Sequence, residues 1–389
     1  MIELHHPLRS LREGNWFKLI CGASFQHLPA VRNLTLAYAL AGADCIDVAA
    51  DPAVVSVARE ALSIAAEFTE AANACGFQGS SPWLMVSLND GEDPHFRKAT
   101  FDAIACPHDC PRPCQSICPT QAIVFNQPST SVSGVIDARC YGCGRCLPVC
   151  PIQHISTRSY VSSPAAIAPL VLSGVDAVEI HTQVGHLEDF KRLWAAIAPF
   201  AQHLKLIAIS CPDGEELIDY LWAIYDLLAP LPGALIWQTD GRPMSGDIGN
   251  GTTRAAIKLG QKVLMAQLPG YVQLAGGTNH HTVPKLRQLG LIKDKASVPQ
   301  PGSDPSHYIS GVAYGSYARV LLTPILEELE QQNGQFMTQG GVELPLSYPS
   351  ISPYKLEEVP ELLWQAVHLA NSLVSQLKTP MASKQTIPK

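Results

Sequence analysis

Eight of the twelve cysteines lie in one short window of the chain, between Cys106 and Cys150. The second half of this window has the spacing C-x2-C-x2-C-x3-C-P and consists of Cys140, Cys143, Cys146, Cys150 and Pro151. Three thiolates separated by two residues each can wrap one face of an iron–sulfur cluster, while the fourth, which precedes a proline, turns toward a neighbouring cluster. The spacing therefore predicts iron–sulfur chemistry, in which a cluster gains or loses one electron.

The first half of the window repeats this pattern with wider gaps. It consists of Cys106, Cys110, Cys114, Cys118 and Pro119. The closing C-x3-C-P is retained, but three residues instead of two fill each of the first two gaps. Pro107, Pro111 and Pro113 exclude a continuous helix, which favours a cluster-binding loop. Because of the wider gaps, a misplaced ligand would favour a 3Fe–4S cluster over a 4Fe–4S cluster in this half.

Short apolar segments, 121–125 and 135–137, separate the two cysteine runs. This arrangement resembles the paired strands of two-cluster ferredoxin modules, and a pseudo-twofold duplication explains both halves. The resemblance implies two 4Fe–4S clusters that exchange their fourth ligands. One cluster would take Cys140, Cys143, Cys146 and Cys118. The other would take Cys106, Cys110, Cys114 and Cys150. Nearby arginines are expected to tune the cluster potentials, namely Arg112, Arg139 and Arg145.

Zinc binding and disulfide formation fit the cysteine spacing less well. Structural zinc usually needs two separated C-x2-C pairs, and disulfides are rare in a reducing cytoplasm. Clusters that act only as folding staples are a further alternative. The cysteines outside the window lie in apolar segments and are predicted to be buried small hydrophobic residues: Cys21, Cys45, Cys75 and Cys211.

Around the cysteine window, apolar runs rich in β-branched residues alternate with helical patterns. The apolar runs are 18–22, 45–49, 83–88, 177–181, 204–209, 234–238, 271–275 and 309–313. The helical patterns are 29–41, 52–75, 164–174, 187–202, 214–229, 252–267, 281–289 and 316–332. Eight such units predict an α/β fold of the (β/α)8 barrel type, and the alternative is a doubly wound open sheet.

The domain organisation follows from the order of these units. Residues 1–100 and 161–332 are predicted to form the two parts of the barrel, and 101–160 an inserted ferredoxin-like α+β module. Residues 333–389 form a C-terminal extension with a disordered tail and one amphipathic helix, within 353–377, that packs on the barrel. Since loops after barrel strands emerge at the carboxyl face, an insertion after the third strand brings the module to the barrel mouth.

Two glycine-containing segments follow the seventh and eighth strands. They contain Gly276, Gly277, Thr278, Gly315 and Ser316. Barrels commonly bind phosphate with these two loops and a helix N-terminus, so the segments are candidates for binding a flavin or another phosphate-bearing ligand. The alternative is that the glycines only turn the chain.

Further polar residues are expected near the barrel mouth, although they form no recognisable catalytic set. They are Asn89, Asp90, His181, Cys211, Gln238, Asp240, Asn279, His280 and His281. Among them, His181 could act as a proton donor or ligand, and the alternative is a histidine that caps a strand end.

The composition excludes several classes of function. The formal charge is −7 and charged residues are only 16% of the chain, so there is no basic surface for nucleic acid. No apolar run reaches the ~18 to 20 residues that cross a bilayer, so no transmembrane segment is expected. Charged residues in the first dozen positions argue against a secretory signal, and we expect a cytoplasmic location.

Two segments outside the cysteine window carry a family resemblance: 14–23, GNWFKLICGA, and 44–49, DCIDVA. Together with the two cysteine runs, they resemble the cyanobacterial light-dependent period family, LdpA. The resemblance implies an iron–sulfur redox sensor that informs the circadian clock about light, beside clock kinases and oscillator proteins, with electron-transport components as another partner class.

The residues leave a second function open. A barrel oxidoreductase would receive electrons from the clusters and use them on a flavin or another phosphate-bearing ligand at the barrel mouth. We expect a sensor or electron carrier rather than a turnover enzyme.

Overall fold

The computed structural model describes most of the chain. The described residues are 7–22, 28–91, 97–118, 122–125, 133–136, 140, 146–159, 164–241, 251–293, 308–338 and 355–378. The predicted disordered tail and the residues between 338 and 355 lie outside them.

The strands, in chain order, are β1 (Trp16–Gly22), β2 (Cys45–Ala49), β3 (Trp83–Asn89), β4 (Arg97–Thr100), β5 (Ile123–Val124), β6 (Gly134–Val135), β7 (Ser156–Ser159), β8 (Ala177–His181), β9 (Leu206–Pro212), β10 (Ala234–Asp240), β11 (Tyr271–Ala275) and β12 (Gly311–Tyr314). The helices are α1 (Pro7–Glu13), α2 (Leu28–Leu40), α3 (Pro52–Glu67), α4 (Thr69–Ala74), α5 (Pro113–Ile117), α6 (Cys146–Val149), α7 (Pro164–Val171), α8 (Leu187–Ala201), α9 (Leu217–Leu228), α10 (Thr253–Met265), α11 (Thr282–Gln288), α12 (Ser316–Thr338) and α13 (Pro360–Lys378).

Eight parallel strands close into a barrel with the order β1-β12-β11-β10-β9-β8-β3-β2. Each predicted apolar run falls on one of these strands, and β1 pairs with β12 in the register Trp16↔Gly311. This pairing leaves no open edge, so the barrel is confirmed and the doubly wound sheet is excluded. Closure demands a glycine at 311, because a Cβ there would lie 2.4 Å from the Trp16 carbonyl oxygen.

The apolar core has two parts. The larger part lies between the barrel strands and the surrounding helices. The smaller part fills the amino-terminal half of the barrel interior with residues such as Trp16, Trp83 and Leu206, and Leu8 and Leu11 of α1 pack against it. Since strand residues alternate between the inside and the outside of a barrel, these positions share the inward face. Helix α1 therefore closes the amino end of the barrel.

The cysteine-rich insertion has its own small framework between β3 and α7. Strand β4 pairs antiparallel with β7, and β5 pairs antiparallel with β6. The β5–β6 pair confirms the short strands predicted between the two cysteine runs. The sequence analysis did not predict the β4–β7 pair, because Arg97 to Thr100 lacks a strong apolar run.

The C-terminal helix α13 packs on its own barrel, as predicted. One face is buried, and Trp364 stacks on Phe77 with ring centroids 6.1 Å apart. At the helix end, Lys378 Nζ lies 2.5 Å from Asp44 Oδ2 and donates to Ser10 Oγ at 2.9 Å. Among the described residues, no helix combines the length and the apolar character needed to cross a membrane.

A bidentate ion pair joins the segment before α13 to α2. Arg32 donates to both carboxylate oxygens of Glu357, at 2.8 and 2.5 Å. Burial raises the pKa of Glu357, but the hydrogen bonds from Arg32 outweigh it, so the pKa lies below the usual value. A carboxylate with a lowered pKa contributes stability above its unfolded pKa and loses it as the pH falls through the folded pKa.

We expect Glu357→Gln to lower the free energy of unfolding by about 1 to 3 kcal/mol at pH 7. The deficit should shrink as the pH falls below the ordinary glutamate range, because wild type then loses the same ion pair. Urea unfolding at several pH values measures this. The matched control is Glu330→Gln on α12, where the carboxylate is exposed. Equal losses in the two variants, or a deficit that grows in acid, would contradict the assignment.

Candidate functional site

The predicted cluster ligands lie together in the inserted module. The described ones are Cys106, Cys110, Cys114, Cys118, Cys140, Cys146 and Cys150, whereas Cys143 lies outside the described residues. Most of them pack in one small core with Ile123, Phe125 and Ile155. None of the described cysteines forms a disulfide. The fold thus gathers both cysteine runs, which are separate in sequence, around one set of apolar side chains.

Four of these thiols interact electrostatically with one another. Burial raises the pKa of Cys106, and the thiols of Cys110 and Cys150 raise it further. Burial likewise raises the pKa of Cys114, and so do Cys150 and Cys106. These four residues form one of the two ligand sets that the ferredoxin resemblance implies. Cys150 comes from the other run, as the fourth ligand of that implied set does.

Backbone N–H groups point at sulfur atoms in both runs. The N–H of Ala122 donates to Cys118 Sγ at 3.2 Å, and that of Ala99 to Cys140 Sγ at 3.3 Å. Burial raises the pKa of Cys150, but N–H groups led by that of His154 outweigh it and lower the pKa. Such hydrogen bonds stabilise thiolates, and in iron–sulfur proteins they tune the reduction potential.

Arg112 adds a positive charge beside the first run. Its guanidinium stacks on the Phe125 ring at 4.3 Å from the centroid and offsets part of the rise that burial causes in the pKa of Cys106. This position agrees with the predicted tuning role of Arg112. The other two predicted arginines, Arg139 and Arg145, lie outside the described residues.

The donor set fits iron–sulfur clusters better than a single metal ion. Within the described part of the chain, no three His, Cys, Asp or Glu residues converge on one point as a tetrahedral zinc site requires. A cubane cluster instead binds each thiolate through a different iron atom. Unoxidised thiols, apolar surroundings and N–H donors aimed at sulfur are the environment that such clusters need.

The cysteines outside the window divide into two groups. Cys21, Cys45 and Cys211 are buried, as predicted, whereas Cys75 is exposed and the prediction was wrong there. Cys75 follows the short helix α4, whose exposed end leaves its side chain in solvent. Cys211 was expected near the barrel mouth but packs in the apolar layer between the barrel and its helices.

The glycine segments at the barrel mouth are engaged in internal hydrogen bonds. Gly276 and Gly277 have φ angles of 62° and 92°, and the Gly277 carbonyl accepts from Thr252 Oγ1 at 2.8 Å. Thr278 Oγ1 donates to the Ala313 carbonyl at 2.6 Å. These contacts support the alternative in which the glycines turn the chain.

The second glycine segment is held in a similar way. Arg319 donates to Ser316 Oγ at 3.1 Å and to the Ile20 carbonyl at 3.1 Å, which ties the start of α12 to the end of β1. Phosphate binding by Gly276, Gly277, Thr278, Gly315 and Ser316 remains a prediction.

Two of the predicted histidines lie before α11 and contact each other. The rings of His280 and His281 have centroids 3.7 Å apart, and the Tyr317 hydroxyl lies 2.7 Å from His280 Nδ1. Burial and the neighbouring His281 lower the pKa of His280. Asn279 Oδ1 accepts from the His281 N–H at 2.9 Å. These residues shape the start of α11.

The carboxyl half of the barrel interior holds a buried ion-pair network. Lys18 on β1 contacts Glu179 on β8 and lies 3.2 Å from Asp47 Oδ2 on β2, with all three side chains almost fully buried. Burial lowers the pKa of Lys18, but Asp47 and Glu179 outweigh it and raise the pKa above its usual value. The pKa of Glu179 is lowered despite burial, because Lys18 and His181 favour its charged form. Lys18 and Glu179 are therefore an ionised pair inside the barrel.

Neutral polar residues extend this network across the barrel. Gln238 donates to Glu179 at 2.7 Å, Gln273 donates to Gln238 at 2.6 Å, and Trp16 Nε1 donates to Gln273 at 2.6 Å. His181 Nε2 lies 2.9 Å from Glu179 Oε1. The predicted mouth residues His181 and Gln238 are thus brought together.

Comparison with known proteins places the chain in a family. Residues 106–161 match the family model described as the LdpA Fe-S cluster-binding domain, and residues 170–376 match the Light dependent period A C-terminal domain. The curated protein Light dependent period A of Synechococcus elongatus is 48% identical over 373 residues, which cover 96% of this chain and 94% of that protein. The chain belongs to the LdpA family. The resemblance predicted from the sequence is confirmed, and this LdpA-family chain carries an iron–sulfur-binding domain.

Sequence reasoning missed the central residues of the barrel network in this LdpA-family protein. Lys18, Asp47, Glu179 and Gln273 each lie within an otherwise apolar strand, on the inward-facing alternation. A single charge in the middle of such a run is the available signal, because a buried charge must have a partner. Which strand supplies the partner becomes known only when the barrel closes.

Proposed function

We propose that this LdpA-family chain is a redox sensor with two iron–sulfur clusters, which relays the light-dependent redox state of the cell to the circadian clock. The related protein of Synechococcus elongatus carries light-dependent period in its name. Clock kinases and oscillator proteins are the proposed partners, with electron-transport components as the source of the redox signal. The cytoplasm is the proposed location.

The observation that carries this proposal is the mutual placement of the thiols. Cys106, Cys110, Cys114 and Cys150 interact electrostatically although they come from two different runs. This supports a ligand set with an exchanged fourth cysteine, and by the duplication in sequence a second set of Cys140, Cys143, Cys146 and Cys118. The clusters would supply a reversible one-electron change of charge.

The chain's own residues would couple that change of charge to the surface of the module. The N–H donors of Ala99 and Ala122 fix sulfur positions in the module core, and Arg112 places positive charge beside Cys106. In such apolar surroundings one unit of charge is poorly screened. A gain or loss of one electron is therefore expected to alter the electrostatic potential at the module surface, where a partner would bind.

A sensor is favoured over an electron-fed flavin enzyme. The Thr278 hydroxyl donates to the Ala313 carbonyl within the protein, and Ser316 Oγ accepts from Arg319, which would compete with a flavin phosphate for this guanidinium. We also propose domain boundaries at 100, 160 and 332. The number of irons in the first cluster and the identity of the partner are further parts of this proposal.

The test is a redox titration of anaerobically purified chain followed by low-temperature paramagnetic resonance. We expect reversible one-electron reduction within the physiological range. Clusters that stay redox-inert would support the folding-staple alternative instead. In cells, a variant with Cys106, Cys110 and Cys114 changed to alanine should abolish the light dependence of the period at an unchanged protein level.

The matched control in cells is Cys75→Ala, since Cys75 is exposed and lies outside the module. This variant should behave as wild type. If the triple variant accumulates normally and the period still responds to light, the proposal is wrong.

A further inference from the structure

The buried network in the barrel extends to residues at the carboxyl face. Lys18 and Glu179 are fully buried, whereas His181 is 5% exposed and Asn89 is 7% exposed. Asn89 and His181 end neighbouring strands and are paired in register across β3 and β8. The inward-facing residues therefore change from a fixed ion pair in the interior to a histidine and an amide at the mouth.

His181 is oriented from below by Glu179. The carboxylate of Glu179 is held by Lys18 and by Gln238, which donates to Oε1 at 2.7 Å. His181 Nε2 lies 2.9 Å from the same oxygen, so its N–H is directed at the carboxylate. A carboxylate that accepts one ring N–H fixes the tautomer of a histidine and the direction of its ring. Glu179 thus acts as a positioning residue for His181.

Asn89 presents an unused hydrogen-bond donor at this point. Its Oδ1 accepts from the Gly91 N–H at 2.7 Å, which fixes the side-chain amide. Its Nδ2 is buried and has no hydrogen-bond partner among the described residues. An unsatisfied buried donor is costly, and native proteins contain few of them. A ligand atom that accepts this hydrogen bond explains why the amide is oriented in this way.

The charges of the network limit the ligand. Asp47 and Glu179 pair with the ammonium of Lys18, and Asp240, which accepts from Ser210 and Gln238, adds a third carboxylate to the network. The ammonium of Lys18 is already paired with two of these carboxylates. An anion at the mouth would meet these carboxylates at short range, whereas a neutral oxygen would not.

We propose that the barrel mouth is a binding site for a small uncharged molecule with a carbonyl or hydroxyl oxygen, which accepts the hydrogen bond of Asn89 Nδ2 and lies against His181. This site is distinct from the glycine segments of β11 and β12. It does not depend on the redox activity of the clusters, so the two proposals can fail separately.

The test uses the full chain, purified anaerobically, and saturation-transfer NMR. The uncharged probes are glycerol, dihydroxyacetone and acetamide, and the anionic probes are acetate and inorganic phosphate. At least one uncharged probe should bind wild type and bind Asn89→Leu roughly tenfold more weakly. Binding of the anions alone, or equal binding of all uncharged probes to both proteins, would overturn the proposal.

The matched control is Asn33→Leu, because Asn33 is also buried, with 4% exposure, but lies on α2 and accepts from the Leu356 N–H. It should bind the probes as wild type does. Asn89→Leu removes an unsatisfied donor but also the acceptor of the Gly91 N–H, so its Tm should stay close to that of wild type. If Asn89→Leu does not fold, the side-chain amide signal of Asn89 in 15N-labelled wild type gives the answer: it should shift on addition of the bound probe, and an unchanged signal would overturn the proposal.

Discussion

Replacing Cys118 and Cys140 together with alanine is expected to remove one iron–sulfur cluster, whereas replacing Cys118 and Cys106 together should remove both. The reason is the proposed exchange of fourth ligands between the cysteine runs, which assigns Cys118 to the cluster of Cys140 and not to that of Cys106. With two 4Fe–4S clusters, wild type should contain about eight irons, the first double variant about four and the second almost none. Iron and sulfide analysis of anaerobically prepared protein measures this.

The converse pair tests the same assignment from the other run. Replacing Cys150 together with Cys106 should remove one cluster, and replacing Cys150 together with Cys140 should remove both. The reversed result, with almost no iron in the Cys118/Cys140 variant and about four irons in the Cys118/Cys106 variant, would show that the fourth ligands are not exchanged. A wild-type content of about seven irons would instead indicate a 3Fe–4S cluster in the run with the wider gaps.

Replacing Lys18 with methionine is expected to lower the free energy of unfolding by about 3 to 5 kcal/mol, because it leaves buried carboxylates without their cation. Lys18 contacts Glu179 and lies 3.2 Å from Asp47 Oδ2, and no solvent reaches its side chain. The measurement is urea or thermal unfolding. Without Lys18 the buried carboxylates should take up protons more readily, so the deficit should be larger at pH 8 than at pH 5.

The control for this prediction is an exposed ion pair of the same kind. Lys262 Nζ lies 2.7 Å from Asp213 Oδ1, with side chains 41% and 53% exposed. Lys262→Met should cost only ~0 to 1 kcal/mol. Combining Lys18→Met with Asp47→Asn and Glu179→Gln should recover part of the loss, since no buried charge of that group remains. A Lys18→Met variant as stable as wild type would refute the ion-pair network.

The sequence predicted those features that depend on local pattern. Periodicity located the eight barrel strands, and the spacing of eight cysteines located the iron–sulfur module. Each of these signals is carried by residues that are close together in the sequence. The Lys18–Glu179 pair joins residues 161 positions apart, and it exists only because β1 and β8 face each other across a closed barrel. No local pattern contains that information.

The remaining differences between the predicted and the observed structure have similar physical causes. The exposure of Cys75 depends on where α4 ends relative to the barrel, not on the apolar residues around it in sequence. The unsatisfied amide of Asn89 becomes evident only when every donor and acceptor near the mouth has been paired. Gly276 and Gly277 have positive φ angles at the end of β11, but the partners of Thr278 and Ser316 depend on contacts between neighbouring loops.

The antiparallel pairing of β4 with β7 has a consequence for how the chain tolerates its insertion. Because Arg97 faces Ser159 across this ladder, the insertion leaves and returns at nearly the same place. The entropic cost of loop closure to the barrel is then that of a short connection, however many residues lie beyond the ladder. Excision of the whole segment, or its exchange for a different one, would rejoin ends that are already neighbours. The barrel is thus expected to accept a different insertion at this position without changes to its strands.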